Sequence, residues 1–219
     1  SGMCFSEAMI GLLPGWSGIA RALVKAGLEN ARYMALTGKE VKADKLKAIG
    51  IYNLVVDVPY SFPKMPKTGD PKSDKAAYAE ALEKHDEDTG MLLLPKGLEL
   101  ATCPPGAVPS VGERATLAKG AELSEEVRRR SDPQTYAHLF GKPMKEVNEE
   151  VGRLGRPLAP QSIEALSALF KLYDASRFDE AAFVKEEADA DARLYRDAKF
   201  RAGLVATLEQ KVADYREDC

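Results

Sequence analysis

Imidazoles and thiols are scarce in this sequence: it has two histidines, His85 and His138, and three cysteines, Cys4, Cys103 and Cys219. So few imidazoles exclude a histidine-rich metal centre. The cysteines are odd in number and scattered without paired spacing, which speaks against a disulfide framework or a zinc site and suits a reducing compartment. Long apolar runs are lacking as well. None approaches the length needed to cross a bilayer, and no charged start leads into an apolar stretch and a small-residue cleavage site, so the expectation is a cytoplasmic protein with no membrane partner. An excess of one charge is also missing, since 31 Lys plus Arg face 34 Asp plus Glu for a net charge of -3. That balance gives no general attraction to nucleic acid, and none is expected as a partner.

What is present is enough apolar content, 45% of 219 residues, to bury a sizeable core. Residues 3–5 have the character of a strand end. Pro14 and Gly15 interrupt the chain, and Gly15, Ser17 and Gly18 bracket Trp16. Ile19, Leu23 and Val24 then recur at helical spacing, which predicts a helix over 17–27 stopped by Gly27. Helices over 28–36 and 43–49 follow, with Gly38 and Gly50 as their stops, and the β-branched and aromatic stretch 51–56 predicts a short strand.

Character changes at Pro59, because eight of the thirteen prolines lie between Pro59 and Pro109. Proline fixes φ and removes an amide donor, so regular sheet is not expected there, and 75–87 reads as an exposed helix within a long insertion. Helical patterning returns over 122–130, 144–154, 161–173, 179–196 and 199–215. Arg128, Arg129 and Arg130 read as a solvated helix face, and His138 as exposed.

Several short motifs share one order. They are EAMIGLLPGWSG over 7–18, LTG over 36–38, KAD over 42–44 and IGIYNLV over 49–55. Together they resemble the enoyl-CoA hydratase/isomerase (crotonase) family, which reads P-E-x-x-x-G-x-x-P-x-x-G-G, then L-T-G, then A-x-x-A-x-x-x-G-L-V-x-x-V. The close likeness covers 6–58, and a looser one covers 157–211, including FDEA over 178–181 and the ending FRAGLVATLEQK over 200–211. Residues 59–156 have no counterpart. Ser6 stands where the family has proline, Ser17 replaces one glycine of the pair, and Gln210, Lys211 and Val212 depart from the E-K-R-P ending.

The resemblance implies an α/β fold: the C-terminal part of a crotonase-like ββα spiral core over 1–58, the insertion over 59–156, and a helical oligomerisation region over 157–219. It implies an acyl-CoA thioester as substrate, with coenzyme A as part of that substrate and no separate cofactor. Glu7 matches the family's second acidic position, where a carboxyl exchanges a proton with the α-carbon or with water while two backbone amides hold the enolate-like oxygen. Taken by itself, Glu7 also fits a surface carboxylate beside a turn. Trp16 falls near the position from which the family lines its acyl pocket, although a core-filling indole fits it too. Gly15 to Gly18 reads as a tight turn into a helix or as a phosphate-cradling loop, which makes Gly15 a candidate substrate-binding residue. Lys211 occupies the position from which the family's final helix offers a cation to the CoA phosphates; an ordinary solvated lysine is the other reading.

The family's oxyanion amides and first catalytic carboxylate have no counterpart here. The expectation is therefore that activity of hydratase, isomerase or thioester hydrolase type, as in fatty acid metabolism, needs an N-terminal half or a second chain. A non-catalytic subunit acting in assembly is the alternative. The family's trimers and hexamers, built through terminal helices, imply a homo-oligomer in either case.

Overall fold

The computed structural model describes residues 2–102, 114–174 and 176–216. Cys103 and Cys219 lie outside the described residues. Two compact units divide the chain, one formed by Ser1–Tyr52 with Gly112–Cys219 and the other by Asn53–Val111.

In the first unit, strand β1 (Gly2–Met3) pairs antiparallel with β2 (Val41–Lys42), Gly2 opposite Lys42 and Met3 opposite Val41. A 3-10 turn, Glu7–Met9, leads to helices α1 (Gly18–Ala26) and α2 (Leu28–Thr37). Helix α3 (Ala43–Ala48) follows β2. Ile19, Ala20, Leu23 and Ala26 give α1 a buried face, and Ala31, Met34 and Ala35 do the same for α2. The two helices are joined by Gly27 alone, at φ 78°, ψ 169°, a conformation that glycine adopts without steric cost. Gly38 (φ 59°) ends α2 by returning its amide to the Met34 carbonyl.

The unit continues with α5 (Gly120–Ser131), a 3-10 turn at Pro133–Tyr136, α6 (Met144–Leu154), α7 (Pro160–Leu172), α8 (Glu180–Leu194) and α9 (Ala198–Leu208). Arg130 departs from the expected solvated face. It is 2% exposed, and its guanidinium donates to the carbonyls of Thr37 (2.6 Å) and Arg156 (2.8 Å) and pairs with Glu126 (3.1 Å). Arg128 keeps to the surface beside Glu125.

The α/β expectation is overturned. The described residues are 61% helix and 3% strand, with a two-stranded sheet in place of a ββα spiral core. The reason is pairing: a strand needs a neighbour, and β1 finds its neighbour in the two residues Val41–Lys42. Phe5, at the end of the expected strand, is buried in the helical core instead. Residues 51–56 are irregular, with Leu54 exposed. The last helix also stops early. Gln210 turns left-handed (φ 53°), and Lys211 bridges to Pro143, so 209–216 form a strap that buries Val212, Ala213 and Tyr215.

The second unit is dominated by α4 (Pro71–Ala101), 31 residues that contain the sequence-expected helix over 75–87. Asp74 anchors its first turn by accepting from the Thr68 amide and hydroxyl. None of the described residues in this unit is buried.

Candidate functional site

Helix α1 begins without a local cap. Ser17, its N-cap residue, sits in the left-handed region (φ 61°, ψ 30°) and offers no side-chain hydrogen bond to the helix amides. Trp16 before it is left-handed too (φ 59°). Two consecutive non-glycine residues in this region each cost about 1–2 kcal/mol, so other contacts must hold the turn.

Those contacts come from α8. Glu187 stands on the buried stripe of that helix with Phe183, Ala190 and Leu194, and is 3% exposed. Its Oε2 accepts from the Ala20 amide at 3.3 Å. The amides of Ile19 and Gly18 also stabilise the charged carboxylate, so Glu187 supplies from a distance the acceptor that a local cap would give. Its other oxygen, Oε1, is buried with no hydrogen-bond partner. One turn further along α8, Asp191 Oδ1 accepts from the Leu13 amide at 3.1 Å.

Glu7 opens the first 3-10 turn, half-buried, and its carbonyl accepts from the amides of Ile10 (2.9 Å) and Leu12 (3.0 Å). Its Oε2 is buried and unpartnered. Gln161 at the start of α7 flanks the same segment, its Nε2 lying 3.2 Å from where a Cβ on Gly11 would stand, and both of its amide atoms lack partners.

The electrostatics follow from this crowding. Burial pushes the Glu187 carboxyl up to about 7, against the pull of the α1 amides and with help from the charge of Asp191. Burial also raises Glu7, whose own backbone hydrogen bond opposes the rise while Asp191 adds to it. Asp191 is raised by burial and held back by the Leu13 amide. The three carboxyls therefore form a chain of influence, Glu7 to Asp191 to Glu187, able to retain a proton near neutrality. Among the described residues, no group of three or more His, Cys, Asp or Glu side chains is arranged to hold a metal ion.

The remaining sequence-derived site residues are dispersed around this cluster. The Gly15 carbonyl accepts from the Gly18 amide at 3.0 Å, and a Cβ at Gly15 would meet nothing within 4 Å. Trp16 projects from the turn at 96% exposure and fills no core position. Lys211 lies on the strap with its Nζ 2.7 Å from Glu209. It lines a cavity of about 390 Å³ together with Ser6, Met9 and Ile10, which flank Glu7. It also lines a second cavity of about 610 Å³, shared with Arg201, Val205 and Phe140.

Glu187 and Asp191 escaped the sequence reading. A signal exists for the burial of Glu187 alone: within 179–196, Phe183, Glu187, Ala190 and Leu194 recur at helical spacing, so a glutamate occupies a position of the apolar stripe. Together the described residues define a mostly helical protein with three interacting carboxyls, Glu187 buried and Glu7 and Asp191 half-buried, at the entrance to α1. No family model, no curated protein and no solved structure matches the chain. Among the described residues, no helix is long and apolar enough to cross a membrane.

Proposed function

We propose that this chain carries the acid/base element of an acyl-CoA-processing protein of the enoyl-CoA hydratase/isomerase type, acting in the cytoplasm. One observation carries the reading: Glu7, at the position the sequence resemblance assigns to proton transfer, has a buried, unpartnered oxygen and a carboxyl raised above its usual range. A carboxyl so tuned can take a proton from the α-carbon of a thioester and return it to carbon or to water, and such general acid–base catalysis contributes about 10²- to 10⁴-fold. The amides that stabilise the enolate oxygen belong, in this proposal, to polypeptide packed against the Trp16 turn, from the same chain or another. No cofactor beyond the CoA of the substrate enters the reaction.

The experiment is turnover of a short 2-enoyl-CoA thioester by this chain, alone and with the polypeptide that co-purifies with it. Glu7→Gln should reduce kcat at least 100-fold with the fold intact by circular dichroism. Activity insensitive to Glu7→Gln refutes the assignment of Glu7, and failure to bind or turn over any acyl-CoA in either preparation refutes the reaction.

The exposure of Trp16 favours a second reading, a non-catalytic subunit acting in assembly. Tryptophan is enriched among residues that anchor interfaces. Solution mass separates the two: assembly without acyl-CoA binding supports the second, and a monomer that binds no CoA removes both.

A further inference from the structure

The Glu187 carboxyl links the buried face of α8 to the uncapped start of α1, directly after the left-handed Trp16–Ser17 turn. Few neutralising charges approach it. From its own helix comes Asp191, a second acid, and behind Asp191 stands Glu7 of the 3-10 turn. From α1 come backbone amides alone, since its cations Arg21 and Lys25 face outward. Helix α7, also packed against α8, has its charged residues Glu164 and Lys171 exposed. A nine-tenths buried carboxyl with one oxygen in use and the other unpartnered is therefore surrounded by acids and partial positive dipoles.

We propose that Glu187 is a proton-operated latch: protonated, it seats α8 on the first turn of α1 and holds the Trp16–Ser17 turn in place; ionised, it loosens that contact and releases the turn. The direction follows from burial. A second charge beside Asp191 is disfavoured in the closed packing, so any packing that hydrates Glu187 gains population as the proton leaves. The α1 amides stabilise the carboxylate and keep the transition close to neutrality, consistent with a carboxyl raised to about 7 and not further. The latch stands apart from the acyl-CoA reading and survives its failure.

The protein supplies its own reporter, because Trp16 is the sole tryptophan and sits at the latched turn. Tryptophan anisotropy is titrated from about pH 5 to about pH 9, around the Glu187 value. The expected result is one transition near pH 7, with anisotropy falling as pH rises. Glu187→Gln abolishes it and keeps the anisotropy of the low-pH form, and Asp191→Asn moves the midpoint to lower pH. A flat titration of the wild-type protein, or an unchanged midpoint in Glu187→Gln, overturns the proposal. Should Glu187→Gln fail to fold, infrared difference spectra of the unmodified protein decide. A carboxylic-acid carbonyl band that disappears together with the Trp16 transition supports the latch, and a Trp16 transition without such a band overturns it.

Discussion

The Leu13 amide donates to the Asp191 carboxylate at 3.1 Å, tying the loop after the Glu7 turn to a helix 178 positions further along the chain. Leu13 is 1% exposed, so without this acceptor its amide has little access to water. Asp191→Ala should therefore cost about 1–3 kcal/mol, the penalty for stranding a buried donor, while Asp191→Asn, which keeps an acceptor, should cost less. Urea denaturation of the two variants checks this; equal losses would show that the Leu13 contact contributes nothing.

Removal of the Asp191 charge should also lower the Glu7 carboxyl toward its ordinary range, since Asp191 is one of the two influences that raise it. Carbon-detected NMR titration of the Glu7 side chain reads the shift. An unchanged Glu7 titration in Asp191→Asn would mean that burial is the only influence raising it.

Stability should fall as pH rises through neutrality. Folded, the Glu187 carboxyl keeps its proton to about pH 7, whereas the unfolded chain releases it near 4.5. Between those values the unfolded state binds fewer protons, so each step up in pH favours unfolding. The gap corresponds to roughly 3 kcal/mol, present in full below the unfolded value and lost above about pH 7. Glu7 and Asp191, both raised, act in the same direction. Urea midpoints at about pH 5 and about pH 8 should differ accordingly, and Glu187→Gln should remove most of the difference. A wild-type protein more stable at the higher pH contradicts the sign.

Arg130 should tolerate no simple replacement. Arg130→Met leaves the Thr37 and Arg156 carbonyls without this donor and Glu126 without its buried partner, a loss of roughly 3 kcal/mol or more. Arg130→Lys should recover little, because a single ammonium cannot reproduce the planar fork. Thermal unfolding of both variants measures the difference, and a lysine variant of wild-type Tm would discard the fork argument.

Two glycines of the resembling motifs should behave oppositely. Gly38 is left-handed, and a Cβ there would lie 3.0 Å from the Phe5 carbonyl oxygen, so Gly38→Ala should cost at least about 1–2 kcal/mol. Gly15 has open space around it, and Gly15→Ala should stay within about 0.5 kcal/mol. Comparable losses at both positions would contradict the packing at Gly38.

The helices were legible because their signals are local. Apolar spacing and the stops at Gly27 and Gly38 mark α1 and α2 within a residue or two, and the apolar spacing over 161–173 finds α7 one residue out of register at each end. The strands were misread because β-branched content at 51–56 describes a residue's taste for a sheet and not the presence of a neighbouring strand. The run 128–130 reads as a solvated face because the burial of Arg130 depends on carbonyls 93 and 26 positions away. Of the carboxyl cluster, Glu7 came from a motif, whereas Glu187 and Asp191 join it through the packing of α8 on α1, which no local pattern specifies.

The strap over 209–216 has a kinetic consequence. Tyr215 donates its hydroxyl to the Met9 carbonyl, 206 positions away, and packs on Gly203, where a Cβ would come within 2.6 Å of that hydroxyl. A contact so distant in sequence closes a very long loop and forms only after the intervening chain is made. On the ribosome the Glu7 turn therefore waits, its carbonyl side unclasped, until residue 215 has cleared the exit tunnel.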